Sequence, residues 1–225
     1  MPTRSQQRDH TEAAIIEAGL QLLAEGGAEA LTIRGLARKL VLVPSALYRY
    51  VRDRDDLLNL LLAHAHADLI ATVQTAHDAV PRDDLRGRWR AFAHSLRSWS
   101  LGHRHEWLLI QSSAISGPGP RLPDTYGLHV LLLRLGADAE AAGRVPIRGE
   151  RHGSAIPGLA AMLALAEVTA SEQTVLAGLA AWHLLDGALY AELLQLAGRD
   201  LLDADAFFEA MIDETERLVF SPDPA

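Results

Sequence analysis

Cysteine is absent from these 225 residues, which excludes disulfides, thiolate chemistry and cysteine-based zinc sites. A chain with no disulfide to form suits a reducing compartment, and we expect a cytoplasmic protein. The opening MPTRSQQRDH has no apolar signal core, and no uninterrupted apolar run reaches membrane length, so no membrane is expected. HExxH, Glu-x-x-His pairs, GxSxG, GxGxxG and the P-loop are all missing; neither an enzyme nor a cofactor is expected. The histidines offer no metal site. His64 and His66 would diverge by about 200° on a helix, and His103 and His105 flank Arg104 at a helix junction. Lysine occurs once, as Lys39. Strand-like alternation is also lacking, whereas Ala and Leu recur with helical spacing, so the fold class is all-α.

What is present begins with TIRGLARKLVLVPSALYRYVRDRDDLL, residues 32–58. Thr32 can cap a helix whose Ile33, Leu36, Ala37 and Leu40 form one apolar face. Pro44 suits the first position of a second short helix, where its missing N–H is no loss. Leu47 and Val51 then point inward, leaving Ser45, Ala46, Tyr48, Arg49 and Tyr50 outward or sideways. Asp53 can cap a third helix with Leu57, Leu58, Leu61 and Leu62 as its seam. Between residues 32 and 54 six basic side chains face Asp53 alone, a net of +5 on a chain of net −8. A positive patch on an acidic protein is what a phosphate backbone attracts. Two short helices and a turn with this charge describe a DNA-reading helix-turn-helix.

Residues 14–62 resemble the N-terminal domain of the tetracycline-repressor (TetR) family. The resemblance is carried by AIIEAGLQLLAEGG, ALTIRGLARKL, PSALYRYV and RDRDDLLNLLL in that order. It implies that Thr32, Arg34, Tyr48, Tyr50 and Arg54 position the protein on phosphates of an operator in double-stranded DNA. Pro44 would start the reader helix, and Ser45, Ala46 and Arg49 would meet base edges. One departure stands out. The family has Gly at the position of Val41 and a small polar cap at that of Val43. A β-branched residue at positive φ costs roughly 1–2 kcal/mol, and a missing cap about 1 kcal/mol. Restoring Gly at 41 and Ser at 43 is therefore expected to raise both thermal stability and operator affinity.

Residues 1–56 balance eight basic against eight acidic side chains, so the whole −8 belongs to residues 57–225. This asymmetry suggests a DNA-binding domain over 1–56 and an acidic ligand-binding and dimerisation domain over 57–225. Residues 1–10 are expected to be frayed or an arm, with a first helix over 11–25 stopped by Gly26-Gly27. A long helix over 53–80, about 40 Å, would link the two parts as a lever. A stripe of Leu85, Trp89, Phe92, Leu96 and Trp99 marks a core helix over 83–102. Further helices are expected over 106–116 and from Asp124 or Thr125 to Gly143, with a loop over 143–158 that could gate a pocket. Thr169 and Glu172 have capping-box spacing, opening a helix to about Ala197 that Gly198 ends. A final helix starts at Asp203 or Asp205.

The last two helices are apolar on more than one face, which suggests a homodimer formed as a four-helix bundle through Leu189, Leu193, Phe207, Phe208 and Met211. The stretch from Ala180 to Asp213 also resembles the C-terminal domain of actinobacterial TetR-like regulators, with Trp182, Gly187 and Tyr190 as landmarks and Asp186 where His is frequent. That resemblance implies a sensing domain for a small-molecule effector whose identity the sequence does not carry. Trp99, His103, Trp107, Tyr126, His129, Trp182, His183 and Asp186 are the candidate pocket residues. The resulting expectation is a ligand-responsive repressor on a palindromic operator. The other reading is a dimeric small-molecule-binding protein whose DNA binding is weakened by Val41 and Val43.

Overall fold

Short polar side chains punctuate this chain. In the computed structural model, which describes residues 3–115, 127–146, 157–196 and 203–222, helix starts are repeatedly closed by a side-chain oxygen, as where Asp84 accepts from the N–H of Gly87 at 2.8 Å. Thr3 accepts from the N–H of Gln6, whose amide returns the bond to Thr3 N at 2.8 Å, a capping box. Thr32 accepts from Gly35 at 2.9 Å, Asp53 from Asp56 at 2.8 Å, Ser171 from Thr174 at 3.2 Å and Asp203 from Ala206 at 3.0 Å.

The described residues form ten helices and no strand: α1 (Arg4–Ala30), α2 (Ile33–Lys39), α3 (Pro44–Leu47), α4 (Arg54–Asp78), α5 (Leu85–Gly102), α6 (Arg104–Ile115), α7 (Gly127–Ala141), α8 (Leu159–Ala166), α9 (Glu172–Leu193) and α10 (Ala204–Val219). The all-α expectation holds. Several boundaries differ from the sequence reading. Helix α1 begins seven residues earlier than expected because the Thr3–Gln6 box nucleates it, and it is interrupted at Gly26 and Gly27 rather than ended, Gly27 taking φ 67°. The cap of α9 is Ser171, not Thr169. Helix α9 stops at Leu193, with Gln195 at φ 55°, ahead of the expected end at Ala197. Helix α8 was not anticipated. The proposed stop at Gly198 and most of the expected loop lie outside the described residues.

Packing divides the chain into two compact units. One comprises Met1–Leu69 with Gly102–Thr125, the other Ile70–Leu101 with Tyr126–Ala225. The first unit therefore holds α6 and more of α4 than the 1–56 expected for the reader. Its core joins Ile15, Leu23, Leu31, Leu36, Leu47, Val51, Leu57 and Leu61. Gly19 permits the approach of α1 to α4, since a Cβ there would lie 2.9 Å from Leu61 Cδ2.

In the second unit the stripe of α5 is buried as expected, from Leu85 to Trp99. Trp89 stacks on Phe92 at 5.9 Å and its indole N–H donates to Thr215 Oγ1 at 3.1 Å, satisfying a polar atom that burial would otherwise penalise. Helix α9 packs against α10 and α7. Arg97 ties α5 to both α9 and α10, donating to Glu192 at 2.8 and 2.7 Å and to Asp205 at 2.6 Å, with its guanidinium over the Phe208 ring. Helix α9 alone among the described residues is long and apolar enough to cross a bilayer by length and composition. One side of it, through Leu185, Leu189 and Leu193, is core.

His77 is a buried titratable group in this unit. It is 1% exposed, and its Nδ1 lies 2.9 Å from Asp78 Oδ1. Burial pushes its imidazole below the ordinary 6.5, with Arg88 adding to the shift and Asp78 opposing it; burial also lowers His66 and His129. Below about pH 6.5 the unfolded chain protonates these rings before the folded chain does. Stability is therefore complete above that pH and declines as pH falls through the lowered folded values. Urea unfolding at pH 7.5 and 5.5 should show this loss, and His77→Gln should reduce it; an unaltered pH dependence in the variant would remove His77 as a source.

Candidate nucleic-acid interface and effector cavity

The reader is built on two anchors. Thr32 opens α2, and Gly35 fits only because a Cβ would meet Thr32 Oγ1 at 2.9 Å and the Ala30 carbonyl oxygen at 3.3 Å. Leu47, fully buried, holds α3 to the core, and its carbonyl accepts from Tyr50 and Val51 at 2.8 and 3.0 Å.

Between them the turn closes α2 with paired bonds. The N–H of Leu42 donates to the carbonyl of Ala37 at 2.8 Å and that of Val41 to Arg38 at 3.3 Å. This is the Schellman arrangement, which places the residue after the cap in the left-handed region. Val41 stands there, at φ 56°. Val43 caps α3 without a side-chain hydrogen bond. Both consequences expected of the two valines are thus present in the geometry. Helix α3 has only four residues, so the reader is shorter than the 44–51 segment suggested.

The proposed DNA contacts fall into distinct settings. Arg34, Pro44, Ser45, Tyr48 and Arg49 are exposed, and Ala46 is half-buried. Tyr50 is half-buried and packs on the core of the first unit. The Thr32 hydroxyl is engaged by Gly35. Arg54 turns to the end of α1, donating to the carbonyls of Ala28 and Leu31 at 2.6 and 3.1 Å. Arg52 is paired with Asp56 at 2.9 and 3.1 Å, and those bonds hold the Asp56 carboxyl at about 2. Lys39 pairs with Glu25 at 2.6 Å. Arg34, Arg38 and Arg49 are exposed, with no carboxylate partner among the described residues. Arg38 was not among the contacts read from sequence; its place on α2 beside Arg34, at i+4, was the available signal.

The candidate pocket residues do not converge as a group. A cavity of about 20 Å³ in the second unit is lined by His129, Leu132, Leu133 and Gly136 of α7, Met162 of α8, Ala170, and Thr174, Val175, Gly178, Leu179 and Trp182 of α9. Of the expected set it contains His129 and Trp182, whose ring centroids are 5.4 Å apart. His183 is exposed, with Nδ1 2.7 Å from the Leu179 carbonyl oxygen. Asp186 is half-buried and Trp99 belongs to the core stripe of α5; neither lines the cavity. His103 is exposed and Trp107 buried in the first unit. Tyr126 lies outside the described residues. The leucines, glycines and Met162 of the lining were missed because nothing in their spacing separates pocket wall from core.

The expected dimer residues need a similar correction. Leu189, Leu193 and Phe208 are at most 4% exposed and pack inside the chain itself. Phe207 and Met211 stay half-buried. The exposed side of α9 carries Ala180, Leu184, Gly187 and Tyr190 instead.

Two short helices, a left-handed turn and outward arginines define a helix-turn-helix protein. Residues 15–61 match the family model for bacterial regulatory proteins of the tetR family. Over 140 residues the chain is 37% identical to the HTH-type transcriptional regulator Rv1816 of Mycobacterium tuberculosis, covering 62% of this chain and 60% of that protein. It is 33% identical over 121 residues to the HTH-type transcriptional repressor DrrR1 of Streptomyces coeruleorubidus, covering 52% of this chain and 42% of that one. These matches span less than two thirds of either relative. The crystal structure of the regulatory protein SCO4313 superposes with a TM-score of 0.68 at 25% identity, over 95% of this chain and 98% of that one. Residues 15–61 are thus similar to the DNA-binding domain of bacterial tetR-family regulators, and the helical fold of such a regulatory protein extends along nearly the whole chain.

Proposed function

We propose that the chain is a cytoplasmic, homodimeric repressor that leaves a palindromic DNA operator when a small molecule binds its second unit. The observation carrying this reading is the trio of exposed arginines around the turn, Arg34, Arg38 and Arg49, which have no carboxylate partner among the described residues. Two readers would enter major grooves one helical turn apart, about 34–36 Å, with Ser45 and Arg49 turned to base edges. Salt-dependent binding of the chain to duplex DNA tests it.

Dimerisation would use the exposed side of α9, where Leu184 is 45% exposed and Gly187 lets a partner helix approach. Leu184→Arg should convert dimer to monomer in sedimentation velocity. An unchanged sedimentation coefficient would place the interface elsewhere, and a monomeric parent would end the dimer reading.

The effector would be an apolar molecule carrying one polar group for His129. It would open the narrow cavity between α7 and α9, because 20 Å³ holds about one water-sized group. Effector can shift the DNA equilibrium only by its difference in affinity for the two states. Trp182→Ala should lose effector response while keeping operator affinity; a full response in that variant would exclude this cavity.

Strain at Val41 and the missing cap at Val43 support a second reading, a ligand-binding protein with a weakened reader. Under it, binding to DNA would be weak and indifferent to sequence.

A further inference from the structure

The turn of the reader exposes apolar surface that the fold does not use. Val41, Leu42 and Val43 are 91, 41 and 63% exposed, and Tyr48 is 56% exposed. Three successive apolar residues at a surface turn are unfavourable unless something covers them. Val41 is also held at φ 56°, a region that β-branched residues avoid. Val43 occupies a capping position and supplies no hydrogen bond. Among the described residues nothing covers the two valine side chains, which bury little, so their packing does not offset these costs. Strain retained without internal compensation points to function.

Charge narrows the occupant. Helix α2 and residues 48–50 present Arg34, Arg38 and Arg49 outward on either side of the turn. The complementary surface is a polyanion with apolar groups set between its charges. Duplex DNA fits: its major groove is bordered by phosphates, and the apolar group on its floor is the thymine 5-methyl.

We propose that Val41 and Val43 read thymine 5-methyl groups in the major groove, next to the bases met by Ser45 and Arg49. The inference rests on the proposed DNA binding and adds a sequence preference to it. The polar cap expected at position 43 would contact the helix's own backbone; valine trades that bond for a methyl contact. Affinity and stability then move in opposite directions when the turn is changed, against the joint rise expected from the sequence.

The test begins by recovering the tightest duplex from a random-sequence library with the full chain. That duplex is synthesised twice, with thymine and with deoxyuridine in the half-sites, which differ only by the 5-methyl group. Fluorescence anisotropy then gives Kd for the parent, for Val43→Ser and for Val41→Gly/Val43→Ser. The parent should bind the uracil duplex about fourfold more weakly for each methyl it buries. The double variant should discriminate less than about twofold, with Val43→Ser between the two. Equal binding of both duplexes by the parent overturns the inference and leaves the turn to a protein or membrane partner. An undiminished uracil penalty in both variants overturns it too, by assigning methyl reading to other residues. Recovery of no duplex at all defeats the DNA-binding reading itself, and this inference with it.

Discussion

Leu47→Ala is expected to destabilise the first unit by about 2–5 kcal/mol and to abolish specific DNA binding. Helix α3 spans four residues, Pro44–Leu47, far too few to persist by their own hydrogen bonds. It is held by its packing, and Leu47 is its only buried side chain. That side chain shares a core with Leu36 and Ala37 of α2, Val51, and Leu57 and Leu61 of α4. Removing it leaves a cavity beneath the segment that bears Ser45, Tyr48 and Arg49, so stability and reading fail together. Urea unfolding followed by far-UV circular dichroism, alongside DNA binding, measures both. A loss under about 1 kcal/mol with binding intact would mean that α3 is held by something other than Leu47.

Val41→Gly/Val43→Ser should stabilise the chain by about 2–3 kcal/mol, the sum of relieved left-handed strain and a restored cap. The two bonds that close α2, from Leu42 to Ala37 and from Val41 to Arg38, require a left-handed residue at 41 whatever its side chain. Glycine meets that requirement without a Cβ penalty. Alanine at 41 would keep most of the strain, so Val41→Ala should recover little. At 43, serine could accept from a first-turn N–H of α3 that no side chain now meets. Thermal unfolding reads the sum. An unchanged midpoint would show that the turn has relaxed by another route in solution.

Local signals in the sequence held up where their physics is local. Thr32, Pro44 and Asp53 set helix starts, and the spacing of Leu85, Trp89, Phe92, Leu96 and Trp99 marked a buried face. The family pattern even located the strained turn, because a Gly-to-Val change names a backbone angle. Signals that depend on distant partners were not legible. Arg54 looked like a phosphate ligand until the structure brought it to the carbonyls of Ala28 and Leu31. Helix α9 is apolar around most of its circumference, so periodicity could not separate its core side, through Leu189 and Leu193, from the side bearing Leu184 and Gly187. Helix α8, LAAMLALA, is likewise too uniformly apolar to show a period. The cavity wall is mostly Leu, Gly and Val, residue types that also build the core, and only the rings of His129 and Trp182 stood out. The polar opening of the chain seemed frayed because the Thr3–Gln6 box is a reciprocal side-chain arrangement that overall polarity conceals.

The most direct test of the central claim is fluorescence anisotropy of the chain with the DNA upstream of its own gene, across a range of salt and with unrelated competitor DNA. Arg34 and Arg38 in each of two subunits would neutralise about four phosphates, for a log–log salt slope near −4. Tight binding that survives competitor and weakens along that slope is the expected result. Binding equal to that of unrelated DNA, or binding indifferent to salt, would contradict it.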